Sequence, residues 1–188
     1  MNPDPAPNPV QGQRTIVLVG LMGAGKTSIG RRLAHALGLP FRDADEEVER
    51  AAGRSVAEIF EELGEAAFRD GERRVIARLL EEPPHVLATG GGAFMNPETR
   101  KLIASKATSI WLQADVEVLA KRVARKNDRP LLQGRDAREV LAALAEERYP
   151  VYALADLVVE SAESPHYITV QAIIDALAAR QRAQAEAP

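Results

Sequence analysis

The sequence contains no cysteine, which excludes a disulfide framework, a thiolate metal site and a cysteine nucleophile. It also has no apolar run of the roughly 20 residues that span a bilayer, so no membrane segment is expected. A formal net charge of −3 gives no electrostatic reason to expect a nucleic acid or an anionic membrane as partner. These absences predict a cytoplasmic globular protein.

The length predicts one domain, since 188 residues are enough to bury a substantial hydrophobic core. Residues 1–13 contain four prolines and no apolar segment, so we expect a flexible leader there. Residues 14–180 are predicted to form the domain and residues 181–188 a flexible tail. A monomer is expected because no separate apolar interface stripe stands out.

Strand-like apolar segments alternate with helical patterns, which predicts a three-layer α/β/α fold with a parallel sheet covered on both faces. Strands are predicted at residues 15–19, within 39–45, within 85–92, at 109–113 and at 157–159. Helices are predicted at residues 26–37, 45–52, 55–63, 65–80, 97–104, 116–125, 137–147 and 167–180. Ligands of such sheets bind beyond the carboxyl ends of the strands, where glycines and carboxylates occur in this sequence.

The segment GLMGAGKTS, residues 20–28, directly follows the first predicted strand and opens the first predicted helix. It matches the phosphate-loop pattern GxxxxGK[ST] in the strand–loop–helix context that the motif requires. In such loops backbone N–H groups and the helix N-terminus bind phosphate oxygens, the lysine reaches the β- and γ-phosphates, and the hydroxyl binds Mg²⁺. The residues expected to bind ATP here are Gly23, Ala24, Gly25, Lys26, Thr27 and Ser28.

Two carboxylates, Asp43 and Asp45, follow the second predicted strand, and in an extended chain they point to the same side. One would hold Mg²⁺, directly or through water, and the other would bind substrate hydroxyls and take a proton from the attacking one. The alternative is that one of them only caps the following helix. A hydroxyl-bearing acceptor is favoured, because carboxylates would repel a phosphate.

An arginine–glutamate pair and a run of glycines add an anion site. Arg69 and Glu72 are three residues apart on a predicted helix, so Glu72 would orient the guanidinium toward a substrate carboxylate. The alternative is an exposed surface pair. Gly90, Gly91 and Gly92 end an apolar strand and would let a ligand approach the backbone; the alternative is an irregular turn.

Further arginines lie in the second half of the chain. Arg129 falls in the polar segment 126–136, which is predicted to be a lid loop that closes over the triphosphate. Arg122 and Arg125 lie on the helix before it, and a helix arginine of this kind would stack on adenine. Arg148, at the end of a predicted helix, would supply a second anion contact.

Six segments in order, GLMGAGKTSIGRRLA, DAD, GRSVAEIFEELGEAAFRDGE, TGGGA, RPLL and ERYPVY, resemble the shikimate kinases, a family with the nucleoside monophosphate kinase-like P-loop fold. The likeness runs from about residue 15 to residue 178. It implies a five-stranded parallel sheet with a lid loop. It also implies Mg²⁺-dependent transfer of the γ-phosphoryl group of ATP to the 3-hydroxyl of shikimate, a step in chorismate and aromatic amino-acid biosynthesis.

The resemblance also implies a role for each matching residue. Asp43 would hold Mg²⁺ through water, while Asp45 would bind shikimate hydroxyls and act as general base. Arg69 and Arg148 would bind the shikimate carboxylate. The other implied contacts are those of Lys26 with the phosphates, Thr27 with Mg²⁺, Arg129 as the lid arginine, Arg122 beside adenine, and Gly90, Gly91 and Gly92 along the substrate pocket.

Three rival functions remain open at this point. A gluconate kinase would share the phosphate loop and an anionic polyol acceptor, although the DAD, FRDGE and TGGGA set argues against it. A nucleoside monophosphate kinase would need cationic groups where Asp43 and Asp45 stand. A nucleotide-dependent switch would need a sensor and a partner surface, and the sequence has no NKxD motif.

Overall fold

The computed structural model describes residues 14–125 and 136–186. Five strands of this part form one parallel sheet in the order β2-β3-β1-β4-β5. The strands are β1 (Thr15–Val19), β2 (Phe41–Asp43), β3 (Val86–Ala88), β4 (Ala107–Gln113) and β5 (Leu157–Glu160). The predicted parallel sheet is therefore confirmed.

Helices follow the strands in alternation and lie on both sides of the sheet. Within the described ranges they are α1 (Lys26–Leu37), α2 (Ala44–Ala52), α3 (Val56–Leu79), a 3₁₀ turn (Ala93–Met95), α4 (Pro97–Lys106), α5 (Val116–Ala124), α6 (Ala137–Tyr152) and α7 (His166–Ala185). None of these helices combines the length and the apolar character that a membrane crossing requires.

The central strand β1 fixes the position of the phosphate loop. All five of its residues are buried, and it pairs with β3 on one side and β4 on the other. A continuous apolar run suits a parallel strand that is covered on both faces. Because β1, β2 and β3 run in the same direction, the residues that follow them emerge at one edge of the sheet.

Helix α1 has the bounds predicted from the sequence. It starts after Gly25, whose φ is 91°, and it ends at Gly38, which has a φ of 65° and donates its backbone N–H to the carbonyl of His35. The buried face carries Ile29 and Leu33 one turn apart. The N-terminus of α1 is thereby held against the sheet edge.

Helix α3 consists of two helical segments joined at Gly64, which has φ 82° and ψ 169°. The break falls where the sequence predicts the boundary between helices 55–63 and 65–80. A capping box between Ser55 and Glu58 starts the first segment. The rings of Phe60 and Phe68 lie on either side of the break with centroids 4.7 Å apart, so the two segments also pack against each other.

Two helices extend beyond their predicted ends. Helix α6 continues through Pro150 to Tyr152. Arg148 therefore lies inside the helix, and the prediction that it lies at the helix end is wrong. Packing of the fully buried Tyr152 outweighs the backbone hydrogen bond that the proline removes. Helix α7 continues to Ala185 and so includes most of the predicted flexible tail 181–188, whose alanines, arginines and glutamines are good helix formers. Residues 1–13, the predicted leader, and residues 126–135 of the predicted lid segment 126–136 lie outside the described residues.

Replacing Gly64 by alanine is expected to lower the free energy of unfolding by about 1–3 kcal/mol, because its backbone conformation is strained for any residue with a Cβ. Gly71, a helical position in the same element, is the matched control. No atom lies within 4 Å of a Cβ added at either glycine. Gly71→Ala is therefore expected to stabilise the protein by about 0.5–1 kcal/mol. Urea unfolding of both variants measures the difference, and shifts of the same sign would contradict this account.

Candidate active site

A cleft of about 460 Å³ opens where β1, β2 and β3 end. It brings together the phosphate loop, the two carboxylates, the glycine turn and the arginines of α5. Its lining residues are Met22, Gly23, Gly25, Lys26, Thr27, Ser28, Asp43, Asp45, Thr89, Gly90, Gly91, Arg122, Val123, Arg125 and His166. Most residues that the sequence predicts for the ATP side therefore lie along one cavity.

The phosphate loop is held closed by its own lysine. Lys26 Nζ donates to the carbonyl oxygens of Gly20 at 2.8 Å and Leu21 at 2.9 Å. The loop therefore keeps its curvature through contacts within residues 20–26. Backbone N–H groups at the N-terminus of α1 and the positive end of the helix dipole face the same region, which suits phosphate oxygens.

Asp43 links the phosphate loop to the second strand. The Thr27 hydroxyl donates to Asp43 Oδ2 at 2.8 Å, and Asp43 Oδ1 accepts the backbone N–H of Asp45 at 3.0 Å. Asp43 thus caps α2 and lines the cleft at once, so the cap is confirmed, while its role as a Mg²⁺ ligand stays a prediction. The helix that this cap starts begins at Ala44, one residue before its predicted start at residue 45, so Asp43 and Asp45 do not both lie on extended chain.

Asp45 lies in the first turn of α2 and still reaches the cleft. Burial raises the pKa of Asp45, and the negative charge of Asp43 raises it further, while Lys26 and Arg69 oppose the rise. A carboxylate with a raised pKa is a stronger proton acceptor than an exposed one. Asp45 is therefore chemically suited to take a proton from a hydroxyl group.

An ion pair between a buried glutamate and a half-exposed arginine links α2 to α3. Glu47 is 7% exposed and accepts from Arg78 Nη2 of α3 at 2.8 Å. The hydrogen bond from Arg78 lowers the pKa of Glu47, against the effect of burial, and Arg50 lowers it further. This contact sets the distance between α2, which carries Asp45, and α3, which carries Arg69.

Arg69 and Glu72 form a partly buried pair, so the alternative of an exposed surface pair is wrong. Glu72 is 2% exposed and accepts from Arg69 Nη1 at 2.8 Å through its Oε2 atom. Burial raises the pKa of Glu72, while Arg69 lowers it. The other oxygen, Oε1, is buried and has no hydrogen-bond partner among the described residues. It would lie 2.5 Å from a Cβ at Gly90, so this carboxylate reaches the glycine turn.

The glycine turn is required by the close approach of side chains. A Cβ at Gly92 would lie 2.4 Å from the Cζ atom of Arg69, and one at Gly91 would lie 3.3 Å from Nη1 of Arg148. Two guanidinium groups from different helices therefore approach consecutive residues of one turn. Two positive charges held at one turn favour an anion there, so the expected contact with a substrate carboxylate stays a prediction.

Arg122 lies on the nucleotide side of the cleft. Its guanidinium donates to the carbonyl oxygens of Gly23 at 3.2 Å and Ala162 at 2.6 Å. Burial lowers the pKa of Arg122, and Glu163 opposes that change. Arg125 of the same region also lines the cleft. The sequence-predicted Arg129 lies outside the described residues, so its role stays a prediction.

Sequence reasoning missed Ser161, which follows β5 and is 1% exposed. Its hydroxyl donates to the carbonyl of Ala24 in the phosphate loop at 2.9 Å and accepts from Arg122 Nη1 at 3.1 Å. Its backbone N–H donates to the backbone carbonyl oxygen of Gln113 at 2.6 Å. The available signal was its place as a small polar residue directly after β5, at the carboxyl edge of the sheet.

His166 and Tyr152 were missed as well. His166 begins α7 and lines the cleft, where burial, Arg32 and Arg122 all lower its pKa. Tyr152 donates its hydroxyl to the Gly91 carbonyl. Neither residue belongs to a sequence motif that marks a phosphate site.

The fold and the cleft define a P-loop phosphotransferase, because a complete phosphate loop faces a second compartment built from carboxylates and arginines. A family model described as "Shikimate kinase" matches residues 22–178. A curated shikimate kinase of Caulobacter vibrioides is 70% identical over 164 residues, which cover 87% of this chain and 82% of that protein. One from Paramagnetospirillum magneticum is 56% identical over 87% of this chain and 84% of its own length. The chain belongs to the shikimate kinase family.

Solved structures agree with this assignment. Shikimate kinase from Acinetobacter baumannii in complex with shikimate is 35% identical, with a TM-score of 0.87 over 91% of this chain and 96% of that chain. A gluconokinase from Sinorhizobium meliloti is 20% identical, with a TM-score of 0.59 over 91% of this chain and 97% of that chain. It shares the fold alone. The predicted family, the α/β P-loop fold and the assignment as a kinase are therefore confirmed.

Asp45→Asn is expected to raise the midpoint of thermal unfolding at neutral pH. Because the folded-state pKa of Asp45 lies above its ordinary value of 3.8, the stabilising contribution of its protonated form is complete below that value and is lost as the pH rises through the raised pKa. The advantage of asparagine should therefore shrink as the pH falls toward about 4. Asp175→Asn, the same change at an exposed position, is the control. If the unfolding midpoints of Asp45→Asn and the original protein differed by the same amount at every pH, the predicted cost of burying the Asp45 charge would be contradicted.

Ser161→Ala is expected to raise KM for ATP about three- to tenfold with little change in KM for the acceptor, because the phosphate loop and Arg122 lose a shared hydrogen-bond partner. Steady-state kinetics with each substrate varied in turn measures this effect. Ser109→Ala is the matched control, since Ser109 is also buried and exchanges hydrogen bonds with Asp156 away from the cleft. An equal rise in KM for ATP in both variants would show a general loss of packing instead.

Proposed function

We propose that this chain transfers the γ-phosphoryl group of ATP to the 3-hydroxyl of shikimate, giving shikimate 3-phosphate and ADP. The observation that carries the proposal is the meeting of Asp45, Arg69 and Arg148 at the glycine turn beside the phosphate loop. A phosphate loop alone serves many reactions. A carboxylate next to two guanidinium groups suits an acceptor that carries both hydroxyl groups and one carboxylate. Membership in the shikimate kinase family supports the same choice.

On the nucleotide side, the backbone of residues 23–28 and the N-terminus of α1 bind the triphosphate. Lys26 neutralises charge that spreads over the transferred group. The contacts of Arg122 with Gly23 and Ser161 hold its guanidinium plane at the edge of the cleft, where it packs beside adenine. Arg129, which lies outside the described residues, is proposed to be the lid arginine of the predicted lid segment 126–136.

On the acceptor side, Asp45 orients the attacking hydroxyl and accepts its proton. Arg69 and Arg148 bind the shikimate carboxylate, and Glu72 orients Arg69 through the buried hydrogen bond between them. Gly90, Gly91 and Gly92 line the acceptor pocket, and their lack of a Cβ lets Glu72, Arg148 and Arg69 approach the turn. Correct placement of two substrates supplies most of the rate enhancement in phosphoryl transfer.

Thr27 and Asp43 are proposed to hold Mg²⁺. Their side-chain oxygens lie 2.8 Å apart at the cleft, and Mg²⁺ prefers oxygen ligands, of which proteins usually supply one or two. When bound, the ion would neutralise negative charge on the β- and γ-phosphates. The monomeric state and the cytoplasmic location expected from the sequence are part of the same proposal, and gel filtration with light scattering tests the first of them.

Release of ADP from ATP and Mg²⁺ is expected to depend on shikimate. The rate is compared with shikimate, gluconate, a nucleoside monophosphate or no acceptor present. Release with another acceptor, or with none, would leave a P-loop nucleotide enzyme and contradict the proposed acceptor site.

The same assay on Arg69→Ala ties the acceptor to the glycine turn. KM for shikimate is expected to rise roughly 10- to 100-fold, since a charge-assisted contact is lost. Arg74→Ala is the matched control, because Arg74 lies on the same helix, is 73% exposed and pairs with Asp70. Similar kinetics in the two variants would remove Arg69 from the acceptor site.

A further inference from the structure

Tyr152 connects the aromatic core to the middle of the glycine turn. Its side chain is fully buried, and its ring packs near those of Trp111 and Tyr149, with centroids 5.9 and 6.4 Å away. Its hydroxyl donates to the carbonyl oxygen of Gly91. Burial raises the pKa of Tyr152 to about 12, so the hydroxyl stays protonated and remains a donor at any working pH.

Arg148 meets the same residue of the turn. It precedes Tyr152 by one helical turn on α6, so both side chains lie on one face of that helix. A Cβ at Gly91 would lie 3.3 Å from Arg148 Nη1 and 3.7 Å from the Tyr152 hydroxyl. The Nε atom of Arg148 is buried and has no hydrogen-bond partner among the described residues. Packing against Tyr152 and the turn therefore contributes strongly to the position of this guanidinium.

We infer that Tyr152 is a positioning residue for the acceptor: its hydroxyl fixes the Gly91 carbonyl and thereby sets the place of Arg148 against the glycine turn. The inference rests on the proposed function, in which Arg148 binds the carboxylate of shikimate. Tyr152 is not among the residues that line the cleft. It acts on acceptor binding through a backbone carbonyl and a neighbouring cation. Its hydroxyl donates to the glycine turn and not to the phosphate loop, although that turn passes close to Gly20.

A purely structural role for Tyr152 predicts a different outcome, and the chain supplies a matched control. Tyr149 belongs to the same aromatic cluster, with its ring centroid 4.9 Å from that of Trp111. Its hydroxyl also donates to a backbone carbonyl, that of Ala114 at 2.7 Å. Loss of either hydroxyl removes one buried hydrogen bond, but only that of Tyr152 reaches the glycine turn.

The test compares Tyr152→Phe and Tyr149→Phe in the full chain. For Tyr152→Phe we expect KM for shikimate to rise about five- to tenfold, the equivalent of one hydrogen bond, with kcat and KM for ATP within twofold of the original enzyme. For Tyr149→Phe we expect KM for shikimate to stay within twofold. Equal changes in both variants, or no change in Tyr152→Phe, would overturn the inference.

A second measurement separates positioning of Arg148 from a general effect on the pocket. With shikimate methyl ester as acceptor, where the carboxylate charge is absent, Tyr152→Phe and the original enzyme should have the same KM. A rise as large as that found with shikimate would show that Tyr152 does not act through the carboxylate contact.

If Tyr152→Phe does not fold, Gly91→Ala displaces the same junction from the other side and is expected to raise KM for shikimate selectively; an unchanged value would overturn the inference. Failure of the original enzyme to use shikimate at all would instead refute the proposed function.

Discussion

The parallel direction of β1, β2 and β3 is the constraint on which the rest of the structure depends. It places the ends of three separate strands at one edge of the sheet, so the phosphate loop, Asp43 and the glycine turn meet although they are far apart in sequence. Side chains then refine that placement. Thr27 bonds to Asp43, and Thr89 donates to the carbonyl of Leu18, which ties the ends of neighbouring strands together.

The two compartments of the cleft are stabilised by different forces. The nucleotide side is held by hydrogen bonds to backbone carbonyls, such as those that Ser161 and Arg122 make with the phosphate loop. The acceptor side depends on charges taken out of water, above all Glu72 with Arg69. A buried charge without its partner is expensive, so the acceptor side tolerates fewer substitutions. The position of Arg69, the proposed acceptor contact, therefore depends on the packing of α3.

The sequence predicts those features whose causes are local. Helix α1 has its predicted bounds because a motif defines its start and Gly38 its end. The break at Gly64 is likewise predictable from one residue. Other features depend on long-range packing. Burial of Tyr152 stabilises the extension of α6 through Pro150. The hydrogen bond from Ser161 to the phosphate loop forms only because β5 ends beside that loop in the folded sheet. The roles of the site residues themselves, and everything that concerns Arg129, stay predictions.

The bonds from Lys26 to Gly20 and Leu21 have a consequence for the thermodynamics of nucleotide binding. They form within the protein alone, so the conformational entropy of this loop is lost when the chain folds and not when ATP arrives. The loop is preorganised, and in the proposed function a triphosphate that enters it would replace carbonyl oxygens with phosphate oxygens around the same ammonium group. Its affinity would then reflect an exchange of partners more than the ordering of a flexible segment.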